Sequence, residues 1–206
     1  MTTPIFGPEF KTRAELEVLQ LKGLKWTVAH AYAGSSAYRA KLSRAGVAPT
    51  DIQGLDDLQK LPFTTADDLR DGYPLPLCAV PDEQVVRIHS SSGTTGKRNN
   101  LCYTRKDIDD WTHFFARAYE MAGVTPRDRV QIAVGYGVWT AGAGFQTACE
   151  KLGAMALPVG PGNVDMQCRF LEDLGATVLC CTASMGLLMA EEVHRRGIRD
   201  RIRLKK

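Results

Sequence analysis

The sequence predicts an α/β fold, a largely parallel sheet flanked by helices. Three observations predict it. From residue 130 onward, short apolar runs alternate with longer amphipathic stretches, the pattern of strand–helix crossovers. The runs Val130–Val134, Ala156–Val159 and Val178–Cys181 are rich in apolar residues, as strands covered on both faces are. The 206 residues are 44% hydrophobic and 24% charged, the composition of a packed globular chain rather than a disordered one.

In chain order, residues 13–33 read as a helix, because Leu16, Leu19, Gly23, Trp26 and His30 recur at spacings of three and four. A short helix at 36–45 follows, stopped by Gly46. Thr65 to Asp68 has the form of a capping box with Asp in place of Glu, opening a helix to about Asp71. Pro74, Pro76 and Pro81 then enforce an extended, irregular connector. Val85–His89 and Leu101–Tyr103 read as strands on either side of a polar glycine loop. Thr104 is a good N-cap, with Asp107 in the first turn of the helix it opens. Ile108, Trp111, Phe115, Ala118 and Ala122 predict that helix's buried stripe. Helices at 142–152, 164–174 and 184–196 alternate with the three apolar strands. Ile198–Leu204 alternates like the start of a further strand, which suggests a chain cut short there. The organisation expected is a helical region with its connector over 1–84 and an α/β nucleotide- and substrate-binding subdomain over 85–206. Ligands on such sheets gather at the carboxyl ends of strands, so the loops at 90–97, 135–142, 160–163 and 182–184 are where function is expected.

Charge excludes one class. Arg195, Arg196, Arg199, Arg201, Arg203, Lys205 and Lys206 stand against Asp200 alone, while the rest of the chain is acidic. The net charge of +3 therefore reflects one end segment, expected to be solvated or truncated, and not the spread basic face of a nucleic-acid binder. Val130–Cys149 is uncharged and long enough to span a bilayer, but Gly135, Gly137, Gly142 and Gly144 suit a strand, a loop and a buried helix better. No membrane partner is expected. The six cysteines have no CxxC spacing, and Cys180 and Cys181 are adjacent, so neither a metal box nor a disulfide framework is predicted. Reduced thiols, and an N-terminus with no apolar signal core, point to a cytoplasmic protein.

Ser90-Ser-Ser-Gly-Thr-Thr-Gly-Lys97 carries the chemistry. Glycines let backbone N–H groups turn toward an anion, hydroxyls add donors, and a lysine supplies a point charge. It is not a Walker A loop: Ser91 stands where that pattern needs glycine, and Arg98 where it needs Ser or Thr. A plain Ser/Gly surface turn is the bland alternative, and this segment between two strands is far more specific than that. His89 at a strand end reads as structural, Asn163 as a helix cap, Arg87 and Asp107 as surface or capping residues, and Cys180-Cys181 as packing.

The segment resembles the phosphate loop of the adenylate-forming superfamily. Val85–Lys97, Leu24–Tyr32, Leu61–Asp71 and Leu179–Thr182 together resemble the phenylacetate–coenzyme A ligase family, and the resemblance covers roughly residues 10–204. It implies the N-terminal part of the large domain of an adenylate-forming enzyme. It also implies a reaction. A carboxylate, phenylacetate in the first instance, attacks the α-phosphate of ATP to give an acyl-adenylate and pyrophosphate, and coenzyme A then displaces AMP. ATP, magnesium and coenzyme A are the cofactors and substrates so implied, and a homodimer is among the assemblies allowed. By resemblance, Ser91, Ser92, Gly93, Thr94, Thr95, Gly96 and Lys97 hold the β- and γ-phosphates, and Tyr136, Gly137, Trp139, Gly142 and Gly144 form the aryl pocket. On the residues alone, Tyr136 and Trp139 read as core residues near a strand end rather than as a pocket. The resemblance places the catalytic lysine and the acidic magnesium motif beyond residue 206. No catalytic or metal-binding residue is therefore assigned, and the chain alone is expected to be inactive. Arg98 stands where proline is usual and Trp139 where phenylalanine is usual, which implies a shifted substrate range or a weaker enzyme. Two other readings are a related adenylating enzyme with another acyl acceptor, and a non-catalytic remnant that binds phosphate or a partner.

Overall fold

The computed structural model describes residues 6–8, 10–93 and 96–206. It contains two units, Pro8–Arg105 and a second formed by Lys106–Lys206 with the N-terminal residues to Gly7.

In the first unit, α1 (Arg13–Gly34) starts at a full capping box: Glu15 N donates to Thr12 Oγ1 at 3.2 Å while Thr12 N donates to Glu15 Oε2 at 3.2 Å. Ser35 ends α1 and caps α2 (Ser36–Arg44), accepting from Tyr38 N at 3.2 Å. Val28, Leu42 and Ile52 form the small core, with Leu24, Tyr32, Tyr38, Val47 and Leu61 around it. This corrects the predicted stripe of α1. Leu19 and Trp26 lie outside, and Trp26 stacks on His30 at 4.7 Å between ring centroids. The helix is apolar on several faces, so spacing alone selects no single stripe; packing against α2 and the turns after it does.

The capping box of α3 (Ala66–Asp71) is present as predicted, with Thr65 N donating to Asp68 Oδ2 at 2.7 Å. Lys41 Nζ reaches the same carboxylate at 2.6 Å. That bond first, then the Thr65 backbone, holds the Asp68 carboxyl down to about 2. A depressed carboxylate contributes stability above its ordinary 3.8 and loses it as pH falls through about 2, so this tie persists across neutral pH. β1 (Val85–Ser90) and β2 (Asn100–Thr104) pair antiparallel as a separate hairpin, with Ile88 opposite Cys102. β1 turns Arg87 and His89 inward and leaves Val86 and Ile88 exposed.

The second unit alternates helix and strand, without the 85–104 hairpin that was grouped with it from the sequence: α4 (Arg105–Met121), β3 (Arg129–Ile132), α5 (Thr140–Leu152), β4 (Met155–Leu157), α6 (Val164–Asp173), β5 (Val178–Cys180) and α7 (Ala183–Arg195). The strands are parallel in the order β4-β3-β5, with Val130 between Ala156 and Val178. Period-two alternation sends Val130, Ile132 and Val178 to a core with Ala116, Tyr119, Ala148 and Leu152 of α4 and α5. Leu157 and Leu179 point the other way, to Cys168, Leu171, Met189 and Val193 of α6 and α7. The buried stripe of α4 is Ile108, Thr112, Ala116 and Tyr119, a correction to the expected one; Ala118 and Ala122 are exposed. Tyr119 draws the helix round because its ring packs tilted on Phe145, 5.9 Å between centroids, and its hydroxyl meets Cys180 Sγ at 3.3 Å.

The basic end segment departs from the strand start expected over Ile198–Leu204. Arg199–Arg201 is one 3₁₀ turn, after which Ile202 and Leu204 join the α6/α7 core. Lys205 N donates to Thr177 O at 2.8 Å and Leu179 N to Lys206 O at 3.0 Å, so the backbone runs beside β5. The segment's cations stay largely exposed, and several also hold ion partners. Arg196 pairs with Asp165 and Glu192, Arg201 with Glu172 at 3.1 Å, and Lys206 with Asp128 at 3.5 Å.

Candidate functional site

The loop that joins β1 to β2 is closed by its own polar groups. Ser91 N donates to Asn99 O at 3.0 Å, and Asn99 N returns a bond to Ser91 Oγ at 2.9 Å. Gly96 N donates to Gly93 O at 3.3 Å. Gly93 has φ +73° and Gly96 φ +140°, both in the region that favours glycine, so the two glycines of the motif are where the chain needs them. Gly93 is also crowded: a Cβ there would lie 2.6 Å from Arg98 Cγ. Arg98 thus folds back across the loop, and its Nη1 donates to Ser91 O at 3.3 Å. Ser91, Ser92, Gly96 and Lys97 are exposed, and the Lys97 ammonium lies 5.3 Å from the centroid of the Tyr73 ring. Thr94 and Thr95 lie outside the described residues. His89, next to the loop, is buried at 4% exposure, edge-on to Tyr103, and burial with the Arg87 charge pushes its pKa down. A neutral, packed imidazole agrees with the structural reading.

In the second unit, the residues assigned to an aryl pocket surround the start of α5. Gly142 N donates to Gly135 O at 3.1 Å, folding the helix start onto the end of β3. A Cβ on Gly142 would lie 2.6 Å from that carbonyl oxygen and 2.8 Å from Tyr136 Cδ2. Gly144 is equally tight against Trp111 and Phe115. Tyr136 is half-buried against the α4/α5 core, and burial, then the charge of Glu150, pushes its hydroxyl pKa up. Gly137 has φ +85°, and Trp139, 49% exposed, covers Gly135.

The expected loops 135–142, 160–163 and 182–184 do meet. A crevice of about 320 Å³ is lined by Ala133, Val134, Gly135, Pro161, Thr182, Ser184, Met185 and Leu188, beyond the carboxyl ends of β3 and β5. Asn163, at φ +42°, caps α6 by accepting from Met166 N at 3.1 Å. Spacing did not reveal the buried pair that fixes this rim. Gln131 Nε2 donates to Gln167 Oε1 at 2.6 Å, and Gln167 Nε2 donates to Gly160 O at 2.7 Å. The only early signal was a polar residue inside an apolar strand. A larger crevice, about 460 Å³, lies between α6, α7 and the end segment; it contains none of these loop residues and is lined mainly by Leu171, Met189, Val193 and Ile202.

The thiols of the second unit are held in their neutral form by burial. All six are free; burial first raises Cys180 and Cys181, and Cys149 is pushed up to about 12. Among the described residues no group of three His, Cys, Asp or Glu side chains could hold a metal ion, and no helix is long and apolar enough to cross a membrane.

No protein-family model matches the chain. It is 45% identical over 181 residues to the phenylacetate-coenzyme A ligase of Escherichia coli (strain K12), spanning 88% of this chain and 41% of that enzyme. It is 43% identical over 190 residues to the phenylacetate-coenzyme A ligase of Aromatoleum evansii, spanning 92% of this chain and 43% of that enzyme. Among solved structures it is similar to 2-hydroxyisobutyryl-CoA ligase in complex with 2-HIB-AMP and CoA in the thioesterification state. The TM-score is 0.83 at 25% identity, over 90% of this chain and 41% of that one. The chain thus spans about two fifths of the length of the curated relatives it matches. With this sequence identity and the fold that accompanies it, the chain belongs to the phenylacetate–coenzyme A ligase family and corresponds to the N-terminal part of such enzymes.

Proposed function

We propose that these residues are the phosphate-gripping and acid-binding part of an enzyme that activates phenylacetate with ATP and passes it to coenzyme A. The observation that carries this reading is the loop at 91–97. Two glycines at positive φ, exposed serines and a terminal lysine stand between two strands, in a chain of this family. In the reaction, a carboxylate oxygen of the acid attacks the α-phosphorus of ATP. The P–O bond to the β-phosphate breaks, and pyrophosphate leaves with the electron pair. The coenzyme A thiolate then attacks the acyl carbon, and AMP departs.

The chain supplies no covalent nucleophile. Its contribution is position and charge: the exposed Ser91 and Ser92 hydroxyls donate to phosphate oxygens, the positive φ of Gly93 and Gly96 shapes the loop around them, and Lys97 offsets charge as pyrophosphate forms. Thr94 and Thr95 belong to the same proposed set. Trp139 offers an aromatic wall that suits a flat apolar acid, while Gly142 and Gly144 admit the chain's own Tyr136, Trp111 and Phe115 rings against α5. Tyr136 and Gly137 complete that proposed pocket. Among the described residues no group of three His, Cys, Asp or Glu side chains could hold a metal ion, and no step is assigned to a metal.

The test is acid-dependent ATP–pyrophosphate exchange by the gene product purified from its source cells. Phenylacetate is expected to drive exchange at least about ten-fold faster than acetate, the worth of a filled apolar pocket. Equal rates with the two acids would overturn the aryl assignment, and no exchange with any acid would overturn adenylation. The strap made by Arg98 gives a second expectation. Arg98→Pro removes the side chain that spans the loop and fixes φ at its exit, so tripolyphosphate should bind about two- to five-fold more tightly. Unchanged affinity in a calorimetric titration would refute the stiffness argument.

A further inference from the structure

The phosphate loop carries one lysine, yet the triphosphate it is proposed to grip carries several negative charges. A further cation approaches it from α3, a short helix to which sequence reasoning assigned no site residue. Arg70, near the end of α3, places its Nε 3.8 Å from the position a Cβ on Gly96 would occupy. Gly96 is glycine for its φ of +140°, and the guanidinium lies at ordinary contact distance from its Cβ position. Neighbouring contacts fix this segment to the loop. Tyr73 lies under the Lys97 ammonium at 5.3 Å, and Asn100 Nδ2 donates to Pro74 O at 3.2 Å. Behind it, α3 is held by the Thr65–Asp68 capping box and by Lys41 on Asp68. The Arg70 side chain is 32% exposed, and its Nη1 pairs with Asp67 Oδ1 at 2.9 Å, on a carboxylate that is 81% exposed.

We infer that Arg70 is a phosphate-binding residue of this site, contributed by α3, and that Asp67 competes with the phosphate for its guanidinium. The inference rests on the phosphate-loop reading above. A planar guanidinium presents parallel N–H donors that match two oxygens of one phosphate, which a lysine cannot do. An exposed ion pair such as Arg70–Asp67 is weak and screened, so a polyphosphate displaces it readily.

The experiment is calorimetric titration of the chain with inorganic tripolyphosphate, for the wild type and for Arg70→Gln, Arg70→Lys and Asp67→Asn, with the thermal midpoint of each free protein measured alongside. Arg70→Gln is expected to weaken binding about ten- to thirty-fold, the effect of one hydrogen bond to a charged group. Arg70→Lys should recover part of that loss. Asp67→Asn should tighten binding about two- to three-fold, because it removes the carboxylate that competes with phosphate for the guanidinium; a purely structural Arg70–Asp67 pair would give no such gain. Wild-type binding that Arg70→Gln leaves unchanged would overturn the role of Arg70 alone. Should Arg70→Gln weaken binding only together with a fall in thermal midpoint, while Asp67→Asn gives no gain, Arg70 is structural and the inference fails. Absence of any tripolyphosphate binding to the wild type would overturn the phosphate-loop reading, and Arg70 with it.

Discussion

Gly142→Ala is expected to destabilise the protein by about 2–4 kcal/mol, the cost of forcing a close-packed site apart. Inside a helix the opposite sign is the ordinary result, since alanine is the better helix former by about 1 kcal/mol. Geometry decides against that here. The new Cβ would lie 2.6 Å from the Gly135 carbonyl oxygen and 2.8–2.9 Å from two ring atoms of Tyr136. A backbone oxygen at a strand end cannot swing away as the tip of a flexible side chain can. Relief requires α5 to lift from β3, which breaks the Gly142 N to Gly135 O bond and moves Tyr136 out of the core. Gly23 supplies the internal control. It lies in α1 with nothing within 4 Å of its Cβ position, so Gly23→Ala should stabilise by about 0.5–1 kcal/mol. Urea unfolding of the two variants checks both signs at once. Equal stabilisation by both would mean that the α5–β3 contact is looser than described.

Lys97→Ala is expected to lower affinity for tripolyphosphate about 10–100-fold, the range for one hydrogen bond to a charged partner. Stability should barely move. Lys97 is exposed, and its contact with the Tyr73 ring is a surface cation–π pair, worth about 0.5–1 kcal/mol at most. A large loss of binding at nearly constant thermal midpoint is the signature of a ligand contact rather than a structural one. Lys97→Arg keeps the charge and should retain most of the affinity. Unaltered binding in Lys97→Ala would remove the charge argument for the loop.

Much of this was legible before any coordinates. Strands and helices from β3 to α7 fall within a few residues of where apolar runs and caps place them, because each is marked by a local signal: Asn163 before α6, Thr182 before α7, Gly153 after α5. The faces of α1 and α4 were misread for one shared reason. Both helices carry apolar residues on more than one side, and only the neighbours decide which side is covered. Ile108 belongs to the predicted and the observed stripe of α4 alike and Trp111 and Phe115 are half-buried beside it, while Ala118 and Ala122 give way to Thr112, Ala116 and Tyr119. The ion partners of the basic tail, Asp128, Asp165 and Glu172, are not legible because they are remote in sequence.

The candidate site divides in the same way. The phosphate loop is visible as a contiguous motif whose glycines adopt the positive φ that the motif implies. Arg70 and Tyr73 were invisible as parts of it, since nothing in their local pattern records that α3 returns to the loop some 26 residues later in the chain. The Gln131–Gln167 bond that fixes the rim at Gly160 is likewise a long-range match, whose two members look unremarkable apart.

The most direct test of the phosphate-loop reading compares ATP, inorganic tripolyphosphate and AMP as ligands of this chain in calorimetric titrations at one salt concentration. If residues 91–97 grip the β- and γ-phosphates, ATP and tripolyphosphate should bind with similar affinity and displace each other, while AMP binds at least about ten-fold more weakly, one charged contact or more being lost. AMP binding as tightly as ATP, or ATP binding that tripolyphosphate does not displace, would contradict the account.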